Sequence, residues 1–229
     1  MQNGETITVG WCDGGTTDGS FTEGLTSVIL TAPFTNFPIS SCIRVHGNQI
    51  ARQRQSLMDN WYDKIKTDWL FWVDSDIFLT KDIWEKICST ADKEKKPMVS
   101  GVYFIAKETD GSLPVIMPCI FDDVDDFFVK HHHPLPENEV LKVDCAGMGL
   151  VIMHRDVVTK LRENYGEDAF MFAENNLTGE DFMGEDISFF RKCKKINIPL
   201  YANTGAIAKH IKRVPWDLDY YKLYWNREK

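Results

Sequence analysis

Apolar and polar positions switch between two periods along this chain. Ile7-Thr8-Val9-Gly10-Trp11-Cys12 is a short apolar run closed by Asp13-Gly14-Gly15, which predicts a strand and then a sharp turn. Ser20 and Glu23 have capping-box spacing, and Phe21, Leu25, Val28 and Ile29 follow on one helical face as far as Pro33. Ile39 to Val45 fits a second strand. Asn48 is placed as the N-cap of a longer helix on which Ile50, Leu57, Met58, Trp61 and Ile65 share a side. Trp69-Leu70-Phe71-Trp72-Val73 is apolar throughout, as in a central strand covered on both faces, and it runs straight into Asp74-Ser75-Asp76. Thr80 caps a helix that turns Ile83, Trp84, Ile87 and Ala91 inward, and Met98 to Ile105 reads as another strand.

This alternation predicts an α/β sheet with parallel central strands. Ligands of such sheets bind beyond the carboxyl ends of the strands, where Asp13 and the Asp74/Asp76 pair both fall. The second half is less regular. Val102 to Ala106 and Pro114 to Ile120 flank Asp110-Gly111 as a hairpin, and the acidic stretch Asp122 to Asp126 with His131-His132-His133-Pro134 reads as a surface loop. Adjacent histidines cannot easily converge on one ion, so these three are set aside as a metal site. Leu141 to Cys145 and Leu150 to Met153 are strands on either side of Gly147 and Gly149, with a helix from Asp156 to Asn164. Gly184-Glu185-Asp186 opens a further helix through Lys195, and Leu200 to His210 gives the last strands. Beyond a main domain at 1–212, residues 213–229 are rich in aromatics. Core packing is the default for them; a cover over the site, a subunit contact and a membrane surface are the alternatives.

Composition narrows the function. The chain has 229 residues, enough for one domain with a substantial core. Its 34 acidic and 26 basic side chains leave a net charge of -8, so no positive field draws in nucleic acid. No segment approaches the ~20 apolar residues that span a bilayer, so a soluble protein of the cytoplasm is expected (the host's, if viral). The six cysteines are scattered and lack Cys-x-x-Cys spacing, and they read as reduced core residues.

Two carboxylates at i and i+2 of an extended segment point to the same side. At the end of a buried strand they form an oxygen-rich corner suited to Mg²⁺ or Mn²⁺, with a diphosphate completing the coordination. The plain alternative is that Asp74 only satisfies backbone groups or caps the next helix. Phe71-Trp72-Val73-Asp74-Ser75-Asp76 resembles the Asp-x-Asp motif of GT-A fold glycosyltransferases, and Asn48-Gln49-Ile50-Ala51-Arg52-Gln53 is similar to the Ala-Arg-Asn helix of glycosyltransferase family 2. Val143 to Ile152 resembles that family's glycine-containing acceptor strand, Gly184-Glu185-Asp186 its catalytic helix start, and Ala208-Lys209-His210 its late histidine. The matches run in order over residues 7 to 211. Departures are Gln53 in place of asparagine and Lys66-Thr67-Asp68 where a small residue and glycine are usual.

The resemblance implies a GT-A fold with a mixed, mainly parallel sheet, of the small type found in viruses and phages. It also implies transfer of a sugar from a UDP- or GDP-sugar to a glycan or other hydroxyl, with inversion. Asp74 and Asp76 would hold Mn²⁺ or Mg²⁺, with His210 either a third ligand or a partly buried, hydrogen-bonded histidine. Asp13, Arg52, Asp74 and Ser75 would contact the donor, with a structural role the alternative for Asp13 and for Arg52, and Arg54 competes with Arg52 for phosphates or for Asp74. Asp144 and Gly147 would lie at the acceptor or sugar. Asp186 is the candidate base, with Glu185 second, unless both acids merely complement a helix dipole. A haloacid-dehalogenase-like phosphohydrolase and a non-catalytic sugar-binding module are the rival readings. The first usually carries Asp-x-Asp on its first strand, and here strand and helix units precede it.

Overall fold

The computed structural model describes residues 4–109, 112–125, 128–167, 170, 184–213, 218 and 222. The first half comprises β1 (Ile7–Asp13), α1 (Gly19–Thr31), β2 (Ile39–His46), α2 (Ile50–Asp59), β3 (Trp69–Val73), β4 (Ile77–Phe78), α3 (Lys81–Thr90) and β5 (Met98–Val102). Then come β6 (Phe104–Thr109), β7 (Ser112–Pro118), β8 (Ile120–Asp123), β9 (Val129–His131), β10 (Val140–Val143), β11 (Cys145–Ala146) and β12 (Leu150–His154). These are followed by α4 (Arg155–Tyr165), α5 (Glu185–Lys195), β13 (Leu200–Ile207) and β14 (Lys209–His210).

Seven strands form the main sheet in the order β10-β13-β5-β12-β3-β1-β2. Strands β13, β5, β3, β1 and β2 run one way, and β12 and β10 run against them. The sheet is therefore mixed and mainly parallel. The central strand β3 has one parallel neighbour, β1, and one antiparallel neighbour, β12. All five residues of β3 are buried, which is why the sequence there shows no alternation. Phe71 packs on Trp84 of α3, ring centroids 4.7 Å apart, and Trp72 on the opposite face packs on Phe170 at 5.7 Å. Phe170 in turn stacks on Phe189 of α5 at 4.4 Å. Truncating any of these rings to alanine would cost about 3–5 kcal/mol.

Several helix ends and strand limits differ from the sequence expectation. The cap of α1 is Asp18, whose side chain accepts from the Ser20 N–H at 2.8 Å, so Ser20 lies inside the first turn. Helix α2 starts one residue later than Asn48 predicts, with Gln49 at its N-cap and no side-chain cap bond. It continues through a π-helical turn, Asn60–Ile65, to Lys66, which ends it in the left-handed region at φ 63°. The single strand expected from Met98 to Ile105 breaks at Tyr103, because β5 belongs to the main sheet whereas β6 pairs with β7 in the expected hairpin. All six cysteines are free, five of them buried and Cys42 exposed. His131 ends β9 in a three-stranded sheet, β11-β8-β9, and its ring packs on Phe121 at 4.7 Å. Among the described residues no helix is long and apolar enough to cross a membrane. Of the aromatic tail, residues 214–217, 219–221 and 223–229 lie outside the described residues.

Candidate active site

Strand β3 delivers Asp74 to the carboxyl edge of the sheet, and the chain turns there at once. The Asp74 N–H donates to the Gly149 carbonyl at 2.9 Å, and the Ile77 N–H donates back to the Asp74 carbonyl at 3.0 Å. Asp74-Ser75-Asp76 is thus a tight turn, not an extended segment, and its two carboxylates meet different partners. This corrects the expectation that i and i+2 share a side. The Ser75 carbonyl accepts from the Asp18 N–H at 3.0 Å, which ties the turn to the start of α1.

Asp74 faces Arg54. The Nη2 of Arg54 lies 3.3 and 3.4 Å from the two Asp74 oxygens, and its Nη1 pairs with Glu185. Arg54 is 5% exposed, and although burial disfavours its charge, Asp74, Glu185 and Asp186 around it hold the proton firmly. Arg52, the expected anion contact, is exposed on the other side of the helix; the cation that holds Asp74 is Arg54. Between them, Gln53 donates to the Asp13 carbonyl at 2.7 Å, a contact its longer side chain provides.

Glu185 and Asp186 open α5, so Arg54 brings that helix start to the motif turn. Burial pushes the Asp186 carboxyl up; Arg54 opposes this, and the charge of Glu185 adds to it. Its Oδ1 accepts from the Ile187 N–H at 2.8 Å. A Cβ on Gly184 would stand 2.7 Å from that same oxygen, so glycine gives the carboxylate its room.

Asp76 faces the other way, toward β14, which pairs antiparallel with β4 and sets His210 opposite Ile77. Asp76 Oδ2 is 3.3 Å from His210 Nε2 and 2.6 Å from Lys212 Nζ. Burial opposes its ionisation, but hydrogen bonds from His210 and Lys212 outweigh that and bring the carboxyl to about 2. His210 Nδ1 lies 2.8 Å from the Phe104 carbonyl, which can only accept, so Nδ1 carries a proton and Nε2 faces the carboxylate. Metal–ligand bonds of about 2.0–2.2 Å at right angles separate two donor atoms by about 3 Å. The Asp76–His210 pair therefore fits one divalent cation. Among the described residues no group of three or more His, Cys, Asp or Glu side chains is arranged to hold a metal, so phosphate and water oxygens would have to complete the shell.

Tyr103, which the sequence does not single out, sits between the two halves. Its ring meets His210 edge-on at 5.1 Å, and its hydroxyl accepts from the Gly149 N–H at 3.3 Å. A Cβ on Gly149 would lie 2.6 Å from Asp74 Oδ2, and one on Gly147 would collide with the Tyr103 hydroxyl and with Cys119 Sγ. Both glycines are there for close approach.

No protein-family model matches this chain, and no curated protein does either. Solved structures do. A197 from STIV is 17% identical, with 90% of this chain and 86% of that one covered at a TM-score of 0.52. The structure of GalNAc-T7 with UDP, GalNAc and Mn²⁺ is 12% identical and covers 98% of this chain at a TM-score of 0.59. This chain spans 50% of the GalNAc-T7 chain's length. The fold is that of the GT-A glycosyltransferases. Neither of these two structures supports the haloacid-dehalogenase phosphohydrolase reading.

Within this GT-A fold, two expected contact residues are already engaged. The side chain of Asp13 is fully buried, accepting from Arg44 Nε at 2.6 Å, from Arg44 Nη2 at 2.8 Å and from the Gly15 N–H at 2.7 Å. The hydrogen bonds from Arg44 hold its carboxyl below the ordinary range. Its partner Arg44, on β2, reaches solvent with its side chain 41% exposed, and sequence reasoning missed it. Asp144 accepts from Lys194 Nζ at 2.9 Å and from the Asp123 N–H at 3.0 Å, so its carboxylate belongs to an ion-pair group between β8 and α5.

Proposed function

We propose that this protein is a glycosyltransferase that moves a sugar from a nucleoside-diphosphate donor, a UDP- or GDP-sugar, to a hydroxyl with inversion. The observation that carries the reading is Arg54, which gathers the Asp74 end of the motif turn and the Glu185-Asp186 start of α5 around one buried charge. In a single displacement the acceptor oxygen bonds to the anomeric carbon as the carbon–oxygen bond to the diphosphate breaks. The bonding pair leaves with the diphosphate, and the hydroxyl proton goes to a carboxylate. Asp186 supports that last role because burial makes it more basic than an ordinary carboxylate while Arg54 keeps it ionisable. Asp76 and His210 would hold Mn²⁺ or Mg²⁺, which supplies positive charge against the leaving diphosphate when bound. Asp74 and Ser75 shape the turn beneath the donor, and Arg44 offers a charge beyond β1.

The GalNAc-T7 structure contains UDP and Mn²⁺, which makes that pair the first to try. Thermal shift and calorimetry with UDP, GDP, CDP and dTDP, with and without Mn²⁺, test the reading on the full chain. One nucleotide should stabilise the protein only with Mn²⁺, by about 2.7 kcal/mol at a hundredfold excess over Kd, and Asp76→Ala should abolish this. Asp186→Asn should still bind nucleotide and stop transfer. A silent response to every nucleotide would defeat the proposal, and binding with no transfer to any hydroxyl acceptor would favour the sugar-binding module.

A further inference from the structure

Arg54 and Lys212 both stand on the motif turn, and they differ in kind. Arg54 is 6% exposed at its side chain and is held between Asp74 and Glu185. Lys212 is 56% exposed at its side chain, lies two residues beyond His210 and donates from Nζ to Asp76 Oδ2 at 2.6 Å. That oxygen is also the one facing His210 Nε2 at 3.3 Å. The ammonium therefore occupies the carboxylate oxygen that a divalent cation between Asp76 and His210 would need. Like charges exclude joint occupancy at that distance. The backbone beside it stays anchored whichever cation is present, because the Ile211 N–H donates to the Asp76 carbonyl at 2.7 Å. Only the flexible four-carbon stem of Lys212 has to move.

We propose that Lys212 is an exchangeable counter-ion: it neutralises Asp76 while no divalent cation is bound, gives way when one binds, and then turns to the diphosphate of the donor. The exchange requires only the Asp76–His210–Lys212 geometry, whereas the diphosphate step rests on the transferase reading above. Exchange of this kind keeps Asp76 neutralised before loading and adds one positive charge beside the phosphates afterwards. It also makes cation binding weaker in the absence of nucleotide than in its presence, because the phosphates give the released ammonium a new partner.

The test uses the full chain and the Lys212→Met variant, which keeps the stem and removes the charge, with Lys212→Arg as control. An exposed ion pair of this kind is worth up to about 1 kcal/mol, so Mn²⁺ alone, followed by the electron paramagnetic resonance signal of the free ion, should bind about two- to fivefold tighter to Lys212→Met. With Mn²⁺ saturating, the nucleoside diphosphate that the wild type binds should bind about tenfold more weakly to Lys212→Met, the loss expected of a charged hydrogen bond. It should bind near-normally to Lys212→Arg. Unchanged or weaker Mn²⁺ binding in Lys212→Met overturns the exchange, as does a failure of both proteins to bind Mn²⁺. Tighter Mn²⁺ binding with unchanged nucleotide affinity confirms the exchange and overturns the diphosphate step. If the wild type binds Mn²⁺ but no nucleotide, the transferase reading and the diphosphate step fall together, and the Mn²⁺ arm alone decides the exchange.

Discussion

Arg54 shares one nitrogen, Nη2, between the two oxygens of Asp74 at 3.3 and 3.4 Å, and commits its other terminal nitrogen to Glu185. Asp74 and Glu185 are 111 residues apart in sequence, so this guanidinium joins the end of β3 to the start of α5. Removing it would leave the Asp74 and Glu185 carboxylates beside Asp186 without the charge that pairs them.

Arg54→Met should therefore cost about 3–5 kcal/mol, the usual penalty for stripping one partner from a buried charge group, read as a lower urea midpoint. Arg54→Lys should recover little of it, because a single ammonium cannot serve both carboxylates from a fork geometry. Adding Glu185→Gln to Arg54→Met should relieve part of the loss. If the two changes simply add, the pair is not coupled as described.

Gly147 and Tyr103 are locked by space. A methyl at position 147 runs into the Tyr103 hydroxyl and Cys119 Sγ, so Gly147→Ala should destabilise by about 1–3 kcal/mol. Tyr103→Phe deletes the obstructing oxygen and should recover part of that cost in the double variant, while as a single change it loses the bond to the Gly149 N–H. A double variant no better than Gly147→Ala would place the clash elsewhere.

Asp13 and Arg44 form a half-buried pair, the carboxylate wholly enclosed and the guanidinium 41% exposed. Because water reaches the arginine, Arg44→Ala should lower the unfolding temperature only modestly, most of the loss coming from the unpartnered carboxylate. Asp13→Ala alone and the double variant should cost about the same as each other, as thermal unfolding can show. Loss of nucleotide affinity in Arg44→Ala at unchanged fold would add Arg44 to the donor contacts.

What could be read in advance follows from physical range. Strand β3 and its acidic end were legible because burial on both faces leaves an uninterrupted apolar run, and because a pair of carboxylates after such a run has little structural reason to be there. Periodicity could not choose Arg54 over Arg52, since Gln53, Arg54 and Gln55 are all buried and their partners come from other parts of the chain. The split of Asp74 from Asp76 depends on a hydrogen bond to Gly149, which is 75 positions away. Tyr103 and Cys119 carry no mark in the sequence, because their part is to fill the space beside Gly147. Lys212 and Arg44 looked like ordinary surface charges until β14 and β2 set them against Asp76 and Asp13.

Asp186 gives the sharpest pH argument. Burial raises its carboxyl, so in the window between its ordinary value and its raised one the folded protein holds a proton that the unfolded chain has released. Stability then falls as pH climbs through that window, and above it the ionised group leaves the fold less stable by a constant amount. Transfer has the opposite slope, because the base works only when ionised, so its rate should rise with pH through the raised value. Asp186→Asn removes the titration and keeps an oxygen for the Ile187 N–H, whose bond to Asp186 Oδ1 is 2.8 Å. Its urea midpoint should equal or exceed that of the wild type at pH 7, the two should converge toward pH 4, and transfer should be lost at every pH. An Asn variant less stable by more than about 1 kcal/mol at pH 7, a typical single hydrogen bond, would make Asp186 a structural carboxylate and pass the role of base to Glu185.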